Sequence, residues 1–233
     1  DTGCVEFLSE TYAHSLASLE DPDEFVAQVK DHDKKISQLF GKHPVVFRNT
    51  ELIYDDDISA MVQNMGFKGV ITEGAKHILG WKSPNYVYSS PVAPKLKLLL
   101  KNSKLSDDIS FRFSNPDWAS YPLTADKYID WIASLPEEEQ LVNLFMNYET
   151  FGEMQPRESG IFEFMKALPR FAVEKGIEFF TPSEVISKMK SVGEMPVMHP
   201  ISWADEARDT SAWLGNTLQQ EAVKKLYSIG ERV

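Results

Sequence analysis

Short apolar, β-branched runs alternate along the chain with longer stretches in which apolar side chains return every three or four residues. The first kind predicts buried strands and the second amphipathic helices. Residues 4–9 (CVEFLS) read as a strand. Residues 22–40 follow as a helix, with Phe25, Val26, Val29, Ile36, Leu39 and Phe40 near helical spacing. Asp21 before Pro22 is its N-cap and Gly41 its stop. Residues 44–49 (PVVFRN) make a second strand, 55–66 a helix with acids first and glycine last, and 68–74 (KGVITEG) a third strand.

The pattern recurs further on. Helix is predicted over 128–135, strand over 141–146 (LVNLFM), and helix over 158–168, ended by Pro169. A strand at 177–180 (IEFF) precedes a helix at 181–190 capped by Thr181. Residues 85–123 are less regular: 96–102 form a further candidate strand, and 106–122 a long loop holding a short helix. Pro196 and Pro200 mark a boundary, after which 203–230 reads as continuous helix. Alternating strands and helices with short connections predict an α/β fold on a parallel sheet.

Composition narrows the function. Hydrophobic residues make up 42% and charged residues 25%, as in ordinary globular proteins. No apolar run approaches the roughly 20 residues of a membrane span, and the first residues lack the basic start and apolar stretch of a signal peptide. The expected setting is cytoplasmic. A net charge of -11 without a Lys/Arg stripe argues against nucleic acid as a partner. The single Cys4 excludes an internal disulfide and is read as a small core residue.

In parallel α/β folds the polar residues at the C-terminal ends of strands face the site. Those ends supply Glu10 and His14, then Arg48, Asn49 and Glu51, then Glu73, then Asn147 and Glu149. A ring of carboxylates suits glycoside hydrolysis, which needs a nucleophile and a proton donor. No His-x-x-x-His, cysteine pair or Asp-x-Asp-x-Asp loop is present, so no metal or other cofactor is expected. The missing His pair also disfavours a metal-dependent polysaccharide deacetylase. No nucleophile elbow, dinucleotide fingerprint or phosphate loop occurs either.

Several longer segments carry a resemblance: FRNTELIY (47–54), GFKGVITEGAKHILGWKSPNYVY (66–88), LSDDISFRFSNPDW (105–118), LFMNYETFGEMQ (144–155) and PISWADEARD with WLGN (200–216). Together they resemble glycoside hydrolase family 57, in particular its α-amylase-like branch. The resemblance implies an incomplete (β/α)7 barrel related to the TIM barrel over residues 1–198, and the start of a helical segment over 199–233. It implies retaining, metal-free chemistry on α-glucans or malto-oligosaccharides. The family's opening His-Gln-Pro motif is nowhere in the chain, so an excerpt lacking the first strand or strands is expected.

Glu51 matches the family's nucleophile. Asn147 stands at the position of its Asp proton donor, and Met154 replaces a usual His. An Asn can hydrogen-bond a leaving oxygen but has no proton to give at neutral pH. Glu149 is read as holding the turn, with rescue of the donor role as its alternative. Glu10 and His14 stand where a sugar hydroxyl could be bound, beside Arg48, or are satisfied supporting groups. Trp81, Lys82 and Asp108 lie in segments the family shares. Asp209 and Trp213 head the terminal helices, with Trp213 either a stacking platform or core packing. Two readings follow: an α-glucan-active hydrolase or transglycosylase impaired at Asn147, and a catalytically inactive α-glucan-binding relative.

Overall fold

The computed structural model describes residues 3–230. In chain order the elements are α1 (Ala17–Glu20), α2 (Pro22–Phe40), β1 (Val46–Arg48), α3 (Asp56–Asn64), β2 (Gly69–Glu73), α4 (Lys76–Leu79), β3 (Val87–Ser89) and β4 (Lys97–Lys101). Then come α5 (Ser103–Ser110), α6 (Ala125–Ala133), α7 (Ile161–Glu174), α8 (Pro182–Lys188), α9 (Ser211–Leu214) and α10 (Thr217–Gly230). Contacts divide the chain into two compact units. The first holds residues 1–82, 86–100 and 181–233, and the second 83–85 and 101–180. Residues on both sides of the 198/199 boundary therefore belong to the first unit.

Among the described residues the first unit carries one four-stranded sheet, ordered β1-β2-β4-β3. β1 and β2 run parallel, with Val46 opposite Gly69 and Arg48 opposite Ile71. β3 runs antiparallel to β4, so the sheet is mixed rather than wholly parallel. Helix α2 starts as its sequence dictates: the Asp21 side chain accepts the Glu24 N–H at 3.0 Å, Pro22 opens the helix, and Gly41 ends it at φ 62°. It buries Phe25 and Val29, and Phe25 meets Phe47 of β1 edge to face at 5.7 Å. Gly69 admits α8, because a Cβ there would stand 2.1 Å from Ile186 Cδ1. Lys97 then donates to the carbonyls of Ile186 and Met189 at 2.5 and 2.6 Å, satisfying that helix's last turn.

The second unit packs α6 against α7 around a cluster of Leu105, Ile109, Phe113, Tyr128, Phe164 and Leu168. Helix α7 does not end at Pro169 but continues to Glu174. Phe164, Leu168 and Ala172, one turn apart, are all buried, and this face carries the helix past the missing proline N–H.

Four further expectations are corrected. Residues 4–9 make one bridge, Ser9 to Phe47, and Cys4 is exposed rather than in the core. Side chains hold this segment instead: Phe7 stacks on Phe40 at 4.1 Å, and Glu6 accepts the Ser183 N–H at 2.9 Å. Residues 141–146 are reduced to a bridge between Asn143 and Lys101, because the Phe145 N–H goes to the Ser106 hydroxyl at 3.1 Å. Residues 177–180 form no strand, since the Ile177 N–H closes the end of α7 on the Ala172 carbonyl at 2.9 Å. The stretch 203–230 is a loop and two helices. Arg208 sits at φ 54°, and Asn216 starts α10 by exchanging hydrogen bonds with Gln219 at 3.0 and 3.1 Å.

Candidate active site

In the first unit, parallel β1 delivers its C-terminal end to a strained turn. Asn49 follows the strand and is fully committed. Its amide donates to Ser18 Oγ at 2.9 Å and to the Ile53 carbonyl at 3.0 Å, while its Oδ1 accepts the Thr50 N–H at 2.9 Å. Thr50 pairs with the Thr11 hydroxyl at 2.7 Å. Between these anchors, Glu51 and Leu52 both adopt φ 53°, the left-handed region. Each such non-glycine residue costs on the order of 1–3 kcal/mol, and such strain gathers where surroundings over-determine a functional geometry.

The turn presents the Glu51 carboxylate with a polar partner at each oxygen. Oε1 lies 3.1 Å from His14 Nε2, and Oε2 accepts the indole N–H of Trp203 at 2.8 Å. Glu10 lies behind His14, its Oε2 3.6 Å from Nδ1, and Arg48 donates to the same oxygen at 2.7 Å. The chain Arg48–Glu10–His14–Glu51 thus alternates nitrogen-bearing side chains and carboxylates. Arg48 is the least exposed member at 13%, Glu51 stands at 31% and His14 at 47%, so Glu51 is both held and reachable. Glu10, His14, Arg48 and Glu51 come together in this unit, but only Arg48 and Glu51 do so from the end of a strand; Glu10 and His14 follow a single bridge at Ser9. Trp203 was not read from the sequence as a partner of Glu51. The signal available was its place in the shared segment 200–209, with no spacing that pointed at Glu51.

The other candidates stand elsewhere. Trp81 follows Gly80 and is 93% exposed. Trp213 is half-buried and packs against the core of the first unit, as its core-packing alternative holds. Asp209 accepts the Ser211 N–H at 2.8 Å, and the hydroxyl and amide of Ser211 hold its carboxyl below the usual range.

In the second unit, Asn147 is exposed and precedes a short 3-10 turn, Tyr148–Thr150. The strand does not continue there, so Glu149 is not carried onto one strand face with Asn147. Its backbone carbonyl holds the turn, accepting the N–H groups of Glu153 at 3.2 Å and Met154 at 2.9 Å. Thr150 and Gln155 are buried, and Gln155 donates to the Ser110 carbonyl at 2.9 Å, anchoring the turn to α5. Asp108 is 2% exposed and accepts Arg112 Nε at 2.6 Å; a sugar contact would first require that pair to open. Among the described residues, no three His, Cys, Asp or Glu come together as a group that could hold a metal.

Fold and site define an α/β protein with a carboxylate-centred site at the end of a parallel strand. The chain belongs to glycosyl hydrolase family 57, whose sequence pattern matches residues 1–198. It is 50% identical over 99% of its length to a "Putative alpha-amylase" of Methanocaldococcus jannaschii, and spans 49% of that relative. Its fold is similar to the 4-alpha-glucanotransferase of Thermococcus litoralis, at a TM-score of 0.70 and 18% identity, covering 97% of this chain and 35% of that one. A branching enzyme of Thermococcus kodakaraensis, solved with glucose, gives 0.73 at 13% identity, covering 94% and 53%.

Proposed function

We propose that the full-length protein binds α-glucan, that Glu51 of the first unit is a retaining nucleophile, and that Asn147 of the second unit stands at the sequence position of the family's acid. It would then cleave or transfer unactivated glucan poorly. The observation that carries this reading is the Glu51 carboxylate, held at both oxygens on a strained turn yet left accessible. A carboxylate that must attack a sugar needs that fixed aim. The names of the relatives, an amylase, a glucanotransferase and a branching enzyme, support an α-glucan as the substrate class.

In the same reading the architecture is an incomplete (β/α)7 barrel over 1–198 with the start of a helical segment over 199–233, in a cytoplasmic protein. Glu10 and His14 serve the Glu51 side of the sugar, with Arg48 behind them. The exposed ring of Trp81 offers a stacking face; Asp209 and Trp213 are assigned to substrate binding in the first unit, and Asp108 and Glu149 in the second. The second reading, an inactive glucan-binding relative, is favoured by Asn147 and Met154.

The experiment is side-by-side turnover of starch and an α-glucosyl fluoride by wild type and two variants. A fluoride leaves with little protonation, so wild type is expected to form a glycosyl-enzyme from it while leaving starch nearly untouched. Asn147→Asp is expected to raise starch turnover by about 10²-fold or more, the low end of a general-acid effect. Glu51→Gln is expected to abolish both reactions. Wild-type starch turnover at ordinary enzyme rates, about 1–10³ per second, would sink the lost-acid reading. Failure on both substrates, unchanged in Asn147→Asp, would leave the binding-protein reading.

A further inference from the structure

Trp203 stands beyond residue 198, where the family match ends, yet it is tied to Glu51 through both side chain and backbone. Its indole N–H donates to Oε2 at 2.8 Å, and its backbone N–H donates to the Glu51 carbonyl at 3.2 Å. Ser202 Oγ donates to that same carbonyl at 2.8 Å. The segment is itself fixed. Ile201 and Tyr54 exchange backbone hydrogen bonds at 2.9 and 3.0 Å, and Arg208 Nη1 donates to the Trp203 carbonyl at 2.6 Å. On its face, the indole lies 5.9 Å from the Arg48 guanidinium carbon.

An indole N–H is a donor only, so its role cannot reverse. The contact at the other oxygen depends on the tautomer of His14, which is also the more exposed group. Glu51 and Leu52 hold a backbone that L-residues rarely adopt, and Ser202 and Trp203 hold the carbonyl of the peptide between them. We propose that Trp203 is a positioning residue for the Glu51 carboxylate, its N–H fixing Oε2 and thereby the plane from which the other oxygen attacks. The inference rests on the reading of Glu51 as nucleophile.

The test uses full-length protein labelled with nitrogen-15 in its tryptophan indoles. Trp203→Phe identifies the Trp203 signal, and exposed Trp81 is the solvent-exchanging reference. In wild type the Trp203 N–H is expected to exchange at least about tenfold more slowly than that of Trp81. Glu51→Gln, which removes the charged acceptor, is expected to shift it upfield. A Trp203 signal indifferent to Glu51→Gln, or exchanging as fast as Trp81, overturns the proposal. Should Trp203→Phe fail to fold, one indole signal responding to Glu51→Gln supports the proposal, and none responding overturns it.

A second arm follows glycosyl-enzyme formation from α-glucosyl fluoride by mass spectrometry. Trp203→Phe is expected to slow labelling roughly tenfold while its final extent and half-saturating concentration stay within about twofold. An unchanged rate, or an extent that falls in step with the rate, overturns the proposal. If wild type does not label at all, the nucleophile reading fails, and the indole signals still decide the positioning of the carboxylate.

Discussion

At the scale of single residues, backbone conformation does as much as side-chain chemistry. Asn49 and Thr50 occupy themselves with Ser18, Ile53 and Thr11, and so leave Glu51 no ordinary helical or extended path. Gly152 plays the matching part in the other unit. At φ 118° it closes the Asn147 turn, where its N–H meets the Gln155 carbonyl at 3.0 Å. An alanine has room there but not that conformation, since a Cβ would meet only Phe162 Cζ at 3.7 Å. Gly152→Ala is therefore expected to cost on the order of 1–3 kcal/mol, read by urea unfolding of the second unit. It should also cancel the gain expected of Asn147→Asp, because the turn that carries residue 147 would shift. Equal starch turnover in Asn147→Asp with and without Gly152→Ala would refute that coupling.

At the scale of elements, helix starts were legible and strand lengths were not. Asp21 and Asp55 cap helices that the local sequence announces, whereas Asn216 caps one whose start the continuous pattern over 203–230 hides. Asp55 is also a test of electrostatics. Its side chain accepts the Ile58 N–H at 2.8 Å, yet burial raises its pKa above the ordinary carboxylate value, with the neighbouring Asp57 and Asp56 adding to the rise. An acid whose folded pKa is raised contributes stability below its unfolded pKa and loses it as pH climbs through the folded one. Asp55→Asn keeps an acceptor for the cap but carries no charge. It is expected to stabilise the fold at neutral pH and to be indistinguishable from wild type near pH 3. Asp55→Ala should cost about 1 kcal/mol near pH 3, as the cap is lost, and less at neutral pH, where it too removes the buried charge. Denaturant midpoints at the two pH values check this; a gain for Asp55→Asn that persists at low pH would contradict it.

At the scale of the molecule, the net charge of -11 repels polyanions but is nearly blind to an uncharged polysaccharide. Under the proposed function, binding of malto-oligosaccharide is expected to change less than about twofold between about 0.05 and 0.5 M salt. Titration calorimetry across that range checks it, and a steep salt slope would point to a charged ligand. No helix among the described residues is long and apolar enough to cross a membrane.

The chain spans about half the length of the curated relative it matches, and its two units bear different parts of the proposed chemistry. Glu51 lies in one and Asn147 in the other. The sequence by itself determined the α/β character, the bounds of α2, the start of α8, and the place of Arg48 and Glu51 at the end of β1, because caps and strand ends are local signals. Only the tertiary structure decided that 4–9 and 177–180 are not strands, that α7 runs through Pro169, and that Trp203 reaches Glu51. Each of these depends on a partner distant in sequence or on a face completed by packing: Phe40 for Phe7, the buried side of α7 for Pro169, and the Tyr54–Ile201 pairing for Trp203. A hydrogen bond between residues 51 and 203 has no periodicity to announce it; it exists because the chain returns to the end of β1.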